Sequence, residues 1–253
     1  MRNFIRGCIV CALIVLPASV WAGHPLEVED TSTEGKGNYL LELTHDYVKD
    51  NSFRSTKLTS IITAGAGEHT DVSLEVPYLK LNPSPVTDTF ASGKGDVRLK
   101  VKHQIFENEV KQSMGYLLYT DLPTGDSDKG LGTNNIVWGF KLMEQQGCCS
   151  NIYHLNVGYE VGGRDLKKLH TGNDYTINYG IAIEHKLTES FRFLSELAGE
   201  NRREEGTYSR PFTFLAGFIY DISRSWYVDL GARAGLNKYA EDYTVRAGAA
   251  WRF

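Results

Sequence analysis

Long apolar runs are missing from this chain. The one candidate, Cys8 to Leu16 near the amino terminus, falls short of the ~20 residues a spanning helix needs, so no transmembrane helix is expected. Basic residues are not in excess. The formal charge is −4, without the basic patch or high pI that nucleic-acid binding usually shows. Cysteine is scarce: of four, Cys8 and Cys11 lie in the apolar run, and Cys148 and Cys149 are adjacent. Metal ligands usually come as spaced pairs with further partners nearby, and beyond Cys8 and Cys11 there is no second spaced pair; the adjacent pair reads as a plain turn with two thiols or a local disulfide. No G-x-S-x-G nucleophile elbow occurs. No cofactor or metal is expected.

The amino terminus has a basic head, Met1 to Arg6, a short apolar middle, and small residues at Val20 and Ala22. That order predicts a secretory signal peptide over 1–22, cut after Ala22. Its loss removes Arg2 and Arg6 and no acid, making the chain two units more negative. Residues 23–37, polar and without periodicity, read as a lead-in segment or a plug.

The last eleven residues carry the clearest pattern. Tyr243, Val245, Ala247, Ala249, Trp251 and Phe253 fall on one face, and Thr244, Arg246, Gly248, Ala250 and Arg252 on the other. Strict alternation is a strand with one apolar side, and its length matches the ~9–11 residues of a tilted bilayer-crossing strand. It resembles the closing strand of an outer-membrane barrel, which implies that the barrel-assembly machinery reads it through Phe253. The alternative is the edge strand of a soluble β-sandwich.

From Asn38 onward the pattern recurs. Strands are expected near 38–48, 55–65, 72–80, 96–106, 111–121, 136–142, 153–161, 175–184, 191–197, 212–220, 226–234 and 243–253. The fifth is ambiguous, because Leu117 and Tyr119 oppose Met114, Tyr116 and Leu118. The third lapses at Leu79 and Lys80, and Pro77 marks a bulge or local weakness. Tight turns near 66, 108, 187 and 222, with a longer one at 144–150, alternate with long loops at 82–95, 122–134, 162–172, 200–210 and 235–242. An even strand count with short turns at one end describes an outer-membrane barrel. The fold class expected is thus all-β, a closed antiparallel transmembrane β-barrel of about twelve strands over 38–253, sited in the bacterial outer membrane with its lipid as partner.

A resemblance adds to this. His24-Pro-Leu, Glu29-Asp30 and Gly35-Lys-Gly-Asn38 before the first strand, with Leu122-Pro-Thr-Gly-Asp126 and Lys129-Gly-Leu-Gly132, resemble the outer-membrane transporter family labelled "putative MetA pathway of phenol degradation". The resemblance spans the mature chain and implies a transporter-like barrel; the label alone implies an aromatic or apolar solute.

The polar rows supply the candidate solute pathway: Glu42, Glu75, Arg98, Lys100, Lys102, Glu160, Glu196, Asp229, Arg233 and Arg246. Asp46, Glu184, Arg192 and Arg252 share those rows. Both signs are present, so a paired lumen network is one reading. The other is a cationic strip, Arg98-Lys100-Lys102 with Arg246 nearby, biasing ion passage. His24, Glu29 and Asp30 have ligand chemistry but read as solvated loop groups. An enzyme of the outer-membrane phospholipase type would need a serine and a histidine together; His103, His185, Ser60 and Ser195 all fall on lipid-facing rows and read as interfacial residues. The function expected is a non-enzymatic channel or transporter for a small solute, the alternatives being such an enzyme or a structural barrel.

Overall fold

The structure, a computed structural model, describes residues 24–162, 174–204 and 206–253. The expected signal peptide and nearly all of the expected loop at 162–172 lie outside these. The twelve long strands are β1 (Tyr39–Asp50), β2 (Phe53–Gly67), β3 (Thr70–Asn82), β4 (Val97–Glu107), β5 (Gln112–Leu122) and β6 (Val137–Cys148), followed by β7 (Asn151–Gly162), β8 (Tyr175–Lys186), β9 (Phe191–Glu204), β10 (Phe212–Asp221), β11 (Trp226–Gly235) and β12 (Tyr243–Arg252). Each pairs antiparallel with its sequence neighbours, and β12 pairs with β1 from Leu40↔Arg252 to Lys49↔Tyr243. The sheet closes on itself. That removes the free edge a soluble sandwich would leave and satisfies the backbone without water.

Burial is inverted relative to a soluble domain. Leu41, Leu155 and Ile181 face outward and exposed, while Asp46, Asp229 and Glu184 are buried inside. Aromatic rings gather at both rims of the outer surface. Tyr39 stacks on Phe253 at 5.6 Å and Trp226 on Trp251 at 5.6 Å at one end; Tyr47 meets Tyr243 at 6.3 Å toward the other. Among the described residues no helix is long and apolar enough to cross a membrane.

Several expectations are corrected. The loop 82–95 contains a short strand, Ala91–Lys94, paired with Tyr78–Leu81 of β3. The charged loop 200–210 is a hairpin extension in which Thr207–Ser209 returns along Arg202–Glu204. The connection at 144–150 is strand up to Cys148, then a tight turn. The opposite end also has one tight turn, between Asp50 and Phe53.

Pro77 causes no register shift; that shift lies at Gly65/Gly67. The Pro77 carbonyl accepts from Gly95 N–H at 2.9 Å, and that edge is where the neighbouring chain breaks between Lys94 and Val97. The missing N–H of Pro77 therefore falls where no regular ladder continues. The lapse at Leu79 has a cause as well: Leu79 packs inward with Phe53 against Leu81, Ala91 and Leu131 beneath the loops. Leu117 and Tyr119 likewise turn inward, onto Met143.

Candidate functional site

The ten candidate pathway residues all stand on the inner wall. Nearly all are engaged with an opposite charge or a hydrogen-bond donor. Arg98 forks onto Asp121 at 2.6 and 2.8 Å and lies over the Tyr119 ring at 4.5 Å. Lys100 meets Glu75 at 2.5 Å and Glu29 at 3.5 Å; Lys102 meets Asp30 at 3.0 Å. Glu42 accepts from the Tyr227 hydroxyl at 3.0 Å. Glu160 accepts from the Tyr119 hydroxyl at 2.5 Å and from Asn178 at 3.0 Å. The expected cationic strip is therefore not a free one. Every member has an acid beside it, and Arg246 bonds Asp46 and Glu27 rather than facing the strip. Charges this far from bulk water persist because they are matched.

What matches them is largely the segment ahead of β1. Gly35 (φ 76°) and Gly37 (φ 84°) turn the chain at the Tyr39 end, conformations that suit glycine. Gly37 N–H donates to the Gly65 carbonyl at 3.0 Å, and a Cβ on Gly65 would collide with the Gly35 carbonyl. The segment then touches the inner faces of several strands in turn. Asp71 accepts Glu34 N–H at 3.0 Å, and the Thr31 and Ser113 hydroxyls bond at 2.5 Å. Asn156 clamps the Glu29 backbone, accepting its N–H at 2.7 Å and donating to its carbonyl at 2.9 Å. Glu196 accepts the N–H groups of Glu27 and Val28 at 2.7 and 2.8 Å. Glu27 receives Arg233 at 2.5 Å and Arg246 at 3.0 Å; Arg246, with Arg233, holds its carboxyl well below the usual carboxylate range. His24 lies between Asp229 at 2.5 Å and Asp46 at 3.3 Å.

His24 and Asp30 are thus not solvated loop groups. Their sequence neighbours carry no periodicity, so nothing in the pattern shows what they meet. Asn156, Asp121 and Lys141 carry no signal in the sequence that sets them apart from other polar residues, and Tyr119 shows only as the ambiguity in β5. Among the described residues no three His, Cys, Asp or Glu side chains converge as a metal set. His103 bonds Thr70 at 2.9 Å and His185 bonds Asn151 at 2.6 Å, both on the outer surface.

Beside and above Glu27, Val28 and Glu29 lies a cavity of about 390 Å³. Tyr119, Lys141 and Glu160 stand in its wall, with Tyr179 and Tyr239. Lys141 reaches the Glu27 carbonyl at 3.3 Å. The lining offers donors, acceptors and phenol rings together, with ion pairs around them. That is the chemistry of a polar lumen.

The family described as putative MetA-pathway of phenol degradation matches residues 31–253. The chain belongs to this family. Its fold is similar to that of an outer-membrane channel of the COG4313 group from Pseudomonas putida F1, at TM-score 0.69 and 13% identity over 88% of this chain and 98% of that one. It is also similar to the NanC porin, at TM-score 0.59 and 11% identity over 83% and 98%. A third likeness is the KdgM porin in complex with disordered oligogalacturonate, at TM-score 0.57 and 12% identity over 85% and 99%. At these identities the likeness concerns the fold. No curated protein matches the chain. The family member is a closed twelve-stranded barrel of the outer-membrane type.

Proposed function

We propose that the protein is an outer-membrane channel for small solutes, occluded at rest by residues 24–38. The observation that carries this reading is the cavity of about 390 Å³ inside a closed barrel, floored by Glu27, Val28 and Glu29. A volume of this order suits a small molecule. The polar, ion-paired wall favours a solute with hydrogen-bonding groups over a purely apolar one. A phenol-like compound, with a ring for Tyr119, Tyr179 or Tyr239 and a hydroxyl for Glu160, suits both the wall and the family's description. Lipid surrounds the outward apolar rows, and the strand ending at Phe253 is what the barrel-assembly machinery would read. The expected signal peptide, cut after Ala22, would deliver the chain to that machinery.

Docking of the segment rests on backbone contacts to Asn156 and Glu196 as well as on ion pairs, so its release opens the lumen without unfolding the barrel. The test is planar-bilayer current from the intact protein and from a variant lacking 24–36, with liposome swelling by phenol-like and sugar solutes. A small current that rises severalfold on deletion supports the reading. An unchanged single-channel current rejects the segment's role, and no current from either protein rejects the channel.

A further inference from the structure

A second, smaller cavity of about 60 Å³ adjoins the large one, and the two share Glu29, Lys100 and Leu117 in their walls. It has room for a few waters. Its wall is unevenly charged. Five carboxylates line it, from Glu29, Asp30, Glu34, Glu42 and Asp71. The cations there are Lys100 and Lys102, and both are already engaged by Glu29, Glu75 and Asp30. Arg252, 3.6 Å from Glu34 Oε2, leaves the acids still in the majority.

One oxygen stands out. Glu34 Oε1 is buried with no hydrogen-bond partner, on a side chain only 3% exposed. A buried carboxylate oxygen without a donor costs a desolvation penalty that water or a cation relieves.

We propose that a path past the docked segment runs between the two cavities at the Glu29–Lys100 contact, and that it passes small cations in preference to anions. The inference rests on the channel reading above and adds the charge of what permeates. The large cavity carries both signs in balance, with five basic and five acidic residues in its wall, Arg233 paired to Glu27 and Glu241 among them. The acid-rich chamber beyond Lys100 therefore sets the preference, because charged groups lining a constriction bias which ion enters. Lys100 is the gate. It closes the passage while it bridges Glu29 and Glu75, and movement of its flexible stem joins the chambers without displacing the segment.

The experiment is reversal potential in a potassium chloride gradient across a planar bilayer at about pH 7.5, where the Glu34 carboxyl, pushed up to about 7 by burial, is mostly charged, on the full mature chain and on Glu34→Gln, Glu42→Gln and Lys100→Met. The expected result is a cation-preferring wild type, a potassium-to-chloride permeability ratio at least halved in each acid variant, and a larger current in Lys100→Met. Heat-modifiable gel mobility confirms that each barrel has folded, and either acid variant alone suffices for the comparison. The chain lacking 24–36, which loses Glu29, Asp30 and Glu34 together, is expected to be the least selective. An anion-preferring or unselective wild type, or a ratio unchanged in the acid variants, overturns the cation path. Current without charge preference leaves the channel standing and rejects this inference; no current with or without the segment rejects both.

Discussion

His24 Nδ1 lies 2.5 Å from Asp229 Oδ1, joining residues 205 positions apart and fastening the tip of the amino-terminal segment to the wall of β11. His24 and Glu34 belong to no membrane-crossing strand, and both make docking sensitive to pH. Burial opposes the charged imidazole, but its hydrogen bonds to the Asp229 and Asp46 carboxylates outweigh it and raise the His24 pKa. Burial pushes the Glu34 carboxyl up to about 7. Each group therefore holds its proton more tightly when docked than when free. For Glu34, docking weakens as pH rises from the ordinary carboxylate value to about 7; for His24, it weakens as pH rises through the raised value. Glu27, held low by Arg246, opposes this only below the ordinary carboxylate range. The expected outcome is a current severalfold larger at pH 8.5 than at pH 5.5, with the alkaline part flattened in His24→Gln. A current independent of pH in this window contradicts the latch.

Glu196 is the acceptor for two consecutive backbone N–H groups, of Glu27 and Val28. Glu196→Ala leaves both donors inside the lumen without their partner, at about 1–3 kcal/mol for such a loss. The undocked population should rise by roughly 5- to 150-fold on that scale. Limited proteolysis within 24–36 reads this directly. Glu196→Gln, which keeps one carbonyl oxygen, should fall between. Equal cleavage in wild type and Glu196→Ala would show that this carboxylate does not hold the segment.

The barrel was legible in the sequence because the period-two alternation has one cause, hydrocarbon on one side and a polar interior on the other. The rows from Tyr153 to Val161 and from Tyr175 to Ile183 state that directly. Legibility failed where a second surface intervenes. Leu117 and Tyr119 break the pattern in β5 because the interior holds an apolar patch with Met143. Leu79 breaks it in β3 because the strand end packs under loops. The inner face of each pathway residue was readable from parity alone, but its partner was not. Asp46 and Arg246 are 200 residues apart, and only closure of β1 onto β12 in one register brings them opposite. The segment's contacts were least readable, since a non-periodic stretch carries no sign of the wall it meets.

That closure register yields a stability prediction. Arg246 donates to Asp46 at 3.0 Å, to the Pro25 carbonyl at 2.7 Å and to Glu27 at 3.0 Å. Arg246→Ala takes the donor from the Pro25 carbonyl and leaves Glu27 with Arg233 and Asp46 with His24 and Lys57, which places the cost at about 3 kcal/mol, the low end for a broken buried pair because both carboxylates keep a cationic neighbour. The temperature at which the barrel loses its heat-modifiable mobility should drop measurably. Arg246→Lys should recover only part, because one ammonium cannot fork across three acceptors. An unshifted transition in the alanine variant would mean that the β1–β12 seam does not depend on this pair.

Space, rather than charge, gives the sharpest separation of segment from barrel. Gly231 pairs with Gly217 across β10 and β11, and the Pro25 ring sits against both. A Cβ built at Gly231 would stand 2.9 Å from the Pro25 Cβ and 3.0 Å from its Cγ. A β-branched residue suits the middle of a strand, so Gly231→Val should leave the barrel's heat stability within about 1 kcal/mol of wild type. Its effect falls on docking, because the added methyl groups occupy the place of the Pro25 ring. The expected phenotype is a folded barrel whose current and protease sensitivity approach those of the chain lacking 24–36. A folded Gly231→Val protein with wild-type current would show that Pro25 does not seat against this glycine when the channel is closed.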